Sequence, residues 1–139
     1  MGAIEPSPEQ MQAFAGLPDE GPVVMINLLR YRERAGYDEG SGERPCTGRE
    51  AYGRYSEAVV PLLVGVGGRP IWIGLVRGTV IAPEGEAWDD AILVEYPSRK
   101  AALTMFASPE YRAIMHHRSA ALADSRLIAT TGTLIPAAP

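Results

Sequence analysis

One cysteine, Cys46, stands alone among 139 residues, which excludes an internal disulfide and leaves nothing that points to an oxidising compartment. Long apolar runs are missing as well. The longest, Val59 to Gly68, is ten residues broken by Pro61, against the roughly 20 that a membrane helix needs. Met1 to Gln10 has neither the basic start nor the apolar stretch of a signal peptide, and Pro6 stands where N-myristoylation after Gly2 would want Ser or Thr. The expected location is the cytoplasm, with no membrane partner. Positive charge is in short supply: 13 Lys and Arg against 17 Asp and Glu leave a net charge of −4, which disfavours nucleic acid and anionic lipid as general partners. Glycine and proline, 15 and 12 residues, stay below the roughly 25–30% typical of disordered chains. What is present, 46% hydrophobic and 22% charged residues, describes one globular domain over residues 1–139. At this length a domain hides about 68–70% of its unfolded surface, enough for a core without metals or disulfides.

Punctuation along the chain divides that domain. Ser7-Pro8-Glu9-Gln10 is a capping box with proline at the first helical position, and Gly16 is a stop, so residues 7–16 are predicted as a short leading helix. Val23 to Arg30 (VVMINLLR) is almost uninterrupted apolar sequence with β-branched character, as in a central strand covered on both faces. From Tyr31 to Gly48 the chain turns polar, with Gly36, Gly40, Gly42 and Pro45 among charges, and a long mobile loop is expected. Thr47 and Glu50 make a second capping box. Tyr52, Tyr55, Val59, Leu62 and Val66 then recur at helical spacing, with a kink or early end expected at Pro61 and a stop at Gly67-Gly68. Ile71 to Val76, extending at most to Ile81, reads as a strand and Asp90 to Tyr96 as its hairpin partner. A helix follows Pro97-Ser98 to about Ala107, a second runs from Ser108-Pro109 through Leu122, and Leu127 to Thr131 is the last strand.

The order after the leading helix is β-α-β-β-α-β over residues 23–132, an α+β, ferredoxin-like sandwich. Its helices cover one face of the sheet. The first strand is apolar at both parities, Val24, Ile26 and Leu28 alternating with Val23, Met25 and Leu29, so the helix-free face also needs a cover, and a homodimer packing sheet on sheet is the simplest solution. Tetramers could form through the leading helix or the loop 31–48.

Tyr52-Gly53-Arg54-Tyr55, Val60-Pro61-Leu62, Gly67-Gly68-Arg69, Val94-Glu95-Tyr96-Pro97-Ser98, Ser108-Pro109-Glu110-Tyr111 and Arg118 together resemble the domain-of-unknown-function family numbered 1330, of the dimeric α/β-barrel superfamily. The resemblance spans roughly residues 23–132 and covers the order and spacing of the blocks. The first strand, the long loop and the leading helix depart from the shorter members. The resemblance implies a dimer whose two sheets form a barrel, in a superfamily that also holds cofactor-free monooxygenases, muconolactone isomerases and haem enzymes. It assigns no reaction, because function belongs to a site and not to a fold.

Several residues could carry chemistry. Arg118 lies in the middle of an apolar helix face with Tyr111, Ile114, Met115 and Leu122, and an arginine there must find an anion. Either it makes a structural ion pair, with Glu95 the first-choice partner and Asp89, Asp90 or Asp124 the others, or its planar fork anchors the carboxylate or enolate of a small ligand. His116 and His117 are helix neighbours pointing roughly 100° apart, without the i, i+4 spacing of paired metal ligands, so neither metal nor cofactor is expected. His117, nearer the buried face, is the better general-base candidate. Asn27 interrupts an apolar strand and either ties down backbone or faces a pocket. Tyr55 and Tyr111 on their helices, Trp88 where the hairpin returns and Glu95 complete a candidate substrate pocket between sheet and helices. Gly65-Val66-Gly67-Gly68 follows a helix and precedes a strand, the reverse of a phosphate-cradling loop. Ala91 to Tyr96 lacks the stacking aromatics of an RNA-binding strand. The chain is therefore expected to be a cofactor-independent enzyme acting on a small acidic, aromatic, lactone or quinone-like molecule, with a non-catalytic binder or a purely structural dimer as the alternatives.

Overall fold

The computed structural model describes residues 2–136. The elements are α1 (Pro8–Ala15), β1 (Val23–Tyr31), α2 (Gly48–Gly65), β2 (Arg69–Leu75), β3 (Asp90–Tyr96), α3 (Arg99–Ala107), α4 (Pro109–Ala121) and β4 (Leu122–Thr130). Both capping boxes form: Ser7 and Gln10 close the start of α1, and Thr47 and Glu50 close the start of α2. The strands make one antiparallel sheet in the order β2-β3-β1-β4, the ferredoxin-like arrangement expected from the element order, with α3 and α4 together taking the place of its second helix.

Cross-strand register sorts the side chains onto two faces. Pro70, Val94, Met25 and Ala129 form one row, and Ile73, Ile92, Asn27 and Leu127 the next, on the face that carries the helices. The intervening rows, Arg69-Glu95-Val24-Thr130 and Trp72-Leu93-Ile26-Ile128, lie on the opposite face. The burial of β1 alternates accordingly, with Val23, Met25, Asn27 and Leu29 buried and the residues between them half-buried. The core of Leu29, Tyr52, Tyr55, Leu63, Met105 and Leu122 sits between the helix-bearing face and α2, α3 and α4.

Four expectations are corrected. β4 begins at Leu122, five residues earlier than the expected Leu127, because β1 reaches far enough for Tyr31 to pair with Leu122. β2 ends at Leu75, short of Val76. Of the kink or early end expected at Pro61, the early end is excluded, since α2 runs on to Gly65; the proline and Glu57, whose carbonyl loses its helical partner, are on the exposed side, where water can satisfy that carbonyl. The loop after β1 is not left free. Arg32 and Gly36 donate their backbone N–H groups to the carbonyls of Ala121 and Ala120 at the end of α4, and Ala35 donates to Cys46. Gly48 makes the tight return from this loop feasible, since a Cβ there would overlap the carbonyl oxygens of Arg32 and Ala121.

Candidate functional site

A cavity of about 660 Å3 lies between the helix-bearing face of the sheet and α2, α3 and α4. Met25, Ile92 and Val94 contribute its sheet wall, and Val59, Leu63 and Met115 its helix wall. The segment before and including α1 lines a further side through Ile4, Glu5, Met11 and Phe14, and the cavity stays partly open to solvent. That segment is strapped down by hydrogen bonds. The Ala3 N–H donates to Asp124 Oδ1 at 2.9 Å, Ser125 Oγ to the Ala3 carbonyl at 2.5 Å, and Ser119 Oγ to Glu5 Oε1 at 2.9 Å.

Apolar surface dominates this lining, as in a small-molecule site where placed polar groups fix orientation. Arg118, from α4, donates Nη1 to the Ile4 carbonyl at 2.5 Å. Among the described residues no carboxylate lies within ion-pair distance of it. Glu95, the first-choice partner, is excluded by strand parity: it belongs to the helix-free face and pairs with Arg69 at 3.1 Å. Asp90 binds Arg49, Asp124 binds Arg126, and Asp89 accepts from the Tyr31 N–H. Asn27 lines the cavity and donates Nδ2 to the Ile92 carbonyl at 3.3 Å, leaving Oδ1 with no partner among the described residues. Backbone tie and cavity wall are thus the same residue. Tyr55 and Tyr111 join hydroxyl to hydroxyl at 3.0 Å within the lining.

Tyr52, one turn before Tyr55, completes the group, with the two rings 5.2 Å apart. Burial pushes the Tyr52 hydroxyl up to about 12 against the opposing pull of the Arg118 guanidinium, and burial likewise raises Tyr55 well above the ordinary phenol value. Both hydroxyls stay protonated near neutrality and can donate hydrogen bonds.

Three expected site residues lie outside this lining. Glu95 is on the far face of the sheet. The ring of Trp88 lies 5.1 Å from the guanidinium carbon of Arg126 and does not reach the cavity wall. His117 turns towards the loop, its Nδ1 2.7 Å from the Tyr37 hydroxyl, and burial holds its pKa below the ordinary imidazole value. His116 meets Glu43 of the same loop, Nε2 to Oε1, at 3.2 Å. Conversely, Tyr52, Ser125 and the Ile4–Glu5 strap belong to the cavity without having been foreseen as site residues. Tyr52 signalled itself only as part of an apolar helix stripe, and no local pattern reveals where a leading segment docks.

Residues 43–133 match the family model described as Domain of unknown function (DUF1330). The chain belongs to this family. Two crystal structures of RPA0582, a protein of unknown function from Rhodopseudomonas palustris, resemble this DUF1330 chain along nearly its whole length. One, of the methylated protein, is 40% identical over 96% of each chain with a TM-score of 0.87. The other is 39% identical over 98% of this chain and 100% of that one, also with a TM-score of 0.87. A dimeric protein of unknown function with a ferredoxin-like fold from Bacteroides fragilis shares the fold at 20% identity and a TM-score of 0.50, over 81% of this chain and 98% of that one. No curated protein matches. Among the described residues no helix is long and apolar enough to cross a membrane.

Proposed function

We propose that the cavity is the binding pocket of a cofactor-independent enzyme acting on a small organic molecule that carries a carboxylate or forms an enolate. The observation that carries this reading is Arg118: a permanent cation in the wall of a mostly apolar cavity, met by the Ile4 carbonyl and the Tyr52 hydroxyl and, among the described residues, by no carboxylate. A guanidinium fork suits a bidentate carboxylate and stabilises the negative charge of an enolate oxygen as it develops. Asn27 supplies an amide to the same cavity to orient a carbonyl, and Tyr55 and Tyr111 offer an aromatic wall to a flat substrate. Proton abstraction near neutrality has few agents among the lining residues. No histidine is among them, and the only carboxylate, Glu5, accepts from Ser119. The reaction therefore has to use an acidic substrate proton or attack by dioxygen or water. The same shortage favours the second reading, a binding module without turnover.

A thermal-shift screen of aromatic acids, lactones and quinones tests the pocket, since a ligand that binds only the folded chain raises its stability by mass action. Acids are expected to stabilise the wild type and to lose that effect in Arg118→Ala. A screen in which no anion raises the midpoint contradicts the reading. Product formation from a stabilising compound separates enzyme from binding module.

The helix-free face is proposed as the homodimer interface. Its row Trp72-Leu93-Ile26-Ile128 is apolar from edge to edge, with Trp72 62% and Ile128 49% exposed in the single chain. Sedimentation at micromolar concentration should show a dimer that Trp72→Glu converts to monomer. A monodisperse wild-type monomer would overturn the interface.

A further inference from the structure

The two histidines are not alone. Glu43 from the loop between β1 and α2 enters beside them, and Glu43, His116 and His117 offer ligand atoms that all lie within 4.8 Å of one another. We infer that these three side chains form a binding site for a divalent transition-metal ion of the zinc class, open at one position, which ties the loop to α4. The side-chain types are those such ions take, two imidazoles and a carboxylate. One pair already has suitable spacing: His116 Nε2 and Glu43 Oε1 are 3.2 Å apart, close to the edge of about 3.3 Å of a tetrahedron with metal–ligand bonds of about 2.0–2.1 Å, and a side-chain rotation has to bring His117 in from within 4.8 Å. Helix neighbours lack the usual i, i+4 relation, but the rings of His116 and His117 lie with centroids 4.0 Å apart and tilted by 35°, so both can turn the same way towards the glutamate.

Two further features favour a built site over a chance meeting of side chains. Tyr37 holds His117 at Nδ1, with its hydroxyl 2.7 Å away, and so leaves Nε2 to the ion; metal-binding histidines are commonly fixed by such an outer hydrogen bond. Arg54 in turn donates to the Tyr37 hydroxyl at 3.3 Å and stands 3.5 Å from Glu43 Oε2, which leaves Oε1 for the metal. A separate pocket of about 220 Å3, lined by Tyr37, Asp38, Ser41 and His116, opens beside the cluster and gives room for a water or small ligand at the remaining position. Neither histidine lines the Arg118 cavity, so this site stands or falls independently of the pocket reading.

The test is calorimetric titration of zinc into the untagged, chelator-dialysed full chain, repeated in His116→Ala, His117→Ala, Glu43→Gln and Tyr37→Phe, with circular dichroism to verify each fold. One zinc per chain is expected for the wild type. Saturable binding should vanish in either histidine variant and weaken about 10- to 100-fold in Tyr37→Phe, the usual cost of losing an outer hydrogen bond. Glu43→Gln should weaken it at least as much. Cobalt in place of zinc should give the intense visible bands of a four- or five-coordinate ion. Absence of stoichiometric zinc in the wild type, or unchanged affinity in a folded His116→Ala, His117→Ala or Glu43→Gln variant, would overturn the site.

Discussion

Asp90 and Arg118 are opposite charges set against the same helix-bearing face, and the fold treats them in opposite ways. Asp90, 7% exposed, is saturated: Arg49 Nη1 reaches its two oxygens at 3.2 and 3.0 Å, and the Tyr31 hydroxyl donates to it at 2.6 Å. Arg118 has the Ile4 carbonyl, the Tyr52 hydroxyl close by and a cavity, with no carboxylate in ion-pair reach among the described residues. A buried charge whose contacts are complete holds the fold together and has nothing left for a ligand. A cation whose acceptors are all neutral, beside an open volume, still has donors to give. The contrast supports a structural role for Asp90 and the binding role proposed for Arg118, and each can be tested by breaking it.

The largest effect is expected from alkali. Burial raises the hydroxyls of Tyr31, Tyr52, Tyr55 and Tyr96 above the unfolded value of roughly 10. A group whose folded pKa is raised gives stability that is complete below the unfolded pKa and lost as pH climbs through the folded one. Stability should therefore hold to about pH 10 and fall steeply between there and pH 12, with Tyr52 alone removing on the order of 2–3 kcal/mol. Phenolate absorbance should rise together with loss of the fold. Early, reversible ionisation of these tyrosines in a folded chain would contradict their burial. The comparison sharpens at single residues: Asp90 adds to the rise at Tyr31, whereas Arg118 opposes it at Tyr52, so Arg118→Ala should move Tyr52 further up and leave Tyr31 unchanged.

Next in size is Arg49→Ala, which leaves the Asp90 carboxylate with Tyr31 alone. The cost should be about 2 kcal/mol in urea denaturation, below the roughly 3–5 kcal/mol of a fully buried pair because the Arg49 side chain is 53% exposed. Arg118→Ala should cost about 1 kcal/mol, the value of one hydrogen bond to the Ile4 carbonyl. Equal losses in the two variants would erase the distinction between them.

How far the sequence revealed this arrangement depends on the range of the interactions involved. Capping boxes are local, and Ser7 with Gln10 and Thr47 with Glu50 close their helices as expected. The hairpin strand Asp90–Tyr96 is bounded by a turn before and a proline after, and its limits agree with the expected ones. Ala120 to Ala123 favours helix by propensity, yet pairing with β1 draws the chain into β4 at Leu122. Arg118 was visible as a cation on an apolar face, but its partner was not. With both parities of the sheet apolar, nothing in the sequence tells that Glu95 and the cavity lie on opposite faces. Glu43 was hidden for a related reason: a loop judged from composition carries no sign of its hydrogen bonds to the end of α4, which bring it to residues more than 70 positions away.

The central claim is that Arg118 is kept unpaired for a ligand anion. Its most direct test is isothermal titration of the best-stabilising carboxylic acid into wild type, Arg118→Lys and Arg118→Ala, with the stability of each measured in parallel. The account predicts one saturable site in the wild type, weaker binding in Arg118→Lys because a point charge replaces the planar fork, and at least about 100-fold loss in Arg118→Ala, equivalent to about 2.7 kcal/mol, while that variant stays within about 1 kcal/mol of wild-type stability. Undiminished binding in Arg118→Ala, or destabilisation by the roughly 3–5 kcal/mol of a broken buried ion pair, would contradict it.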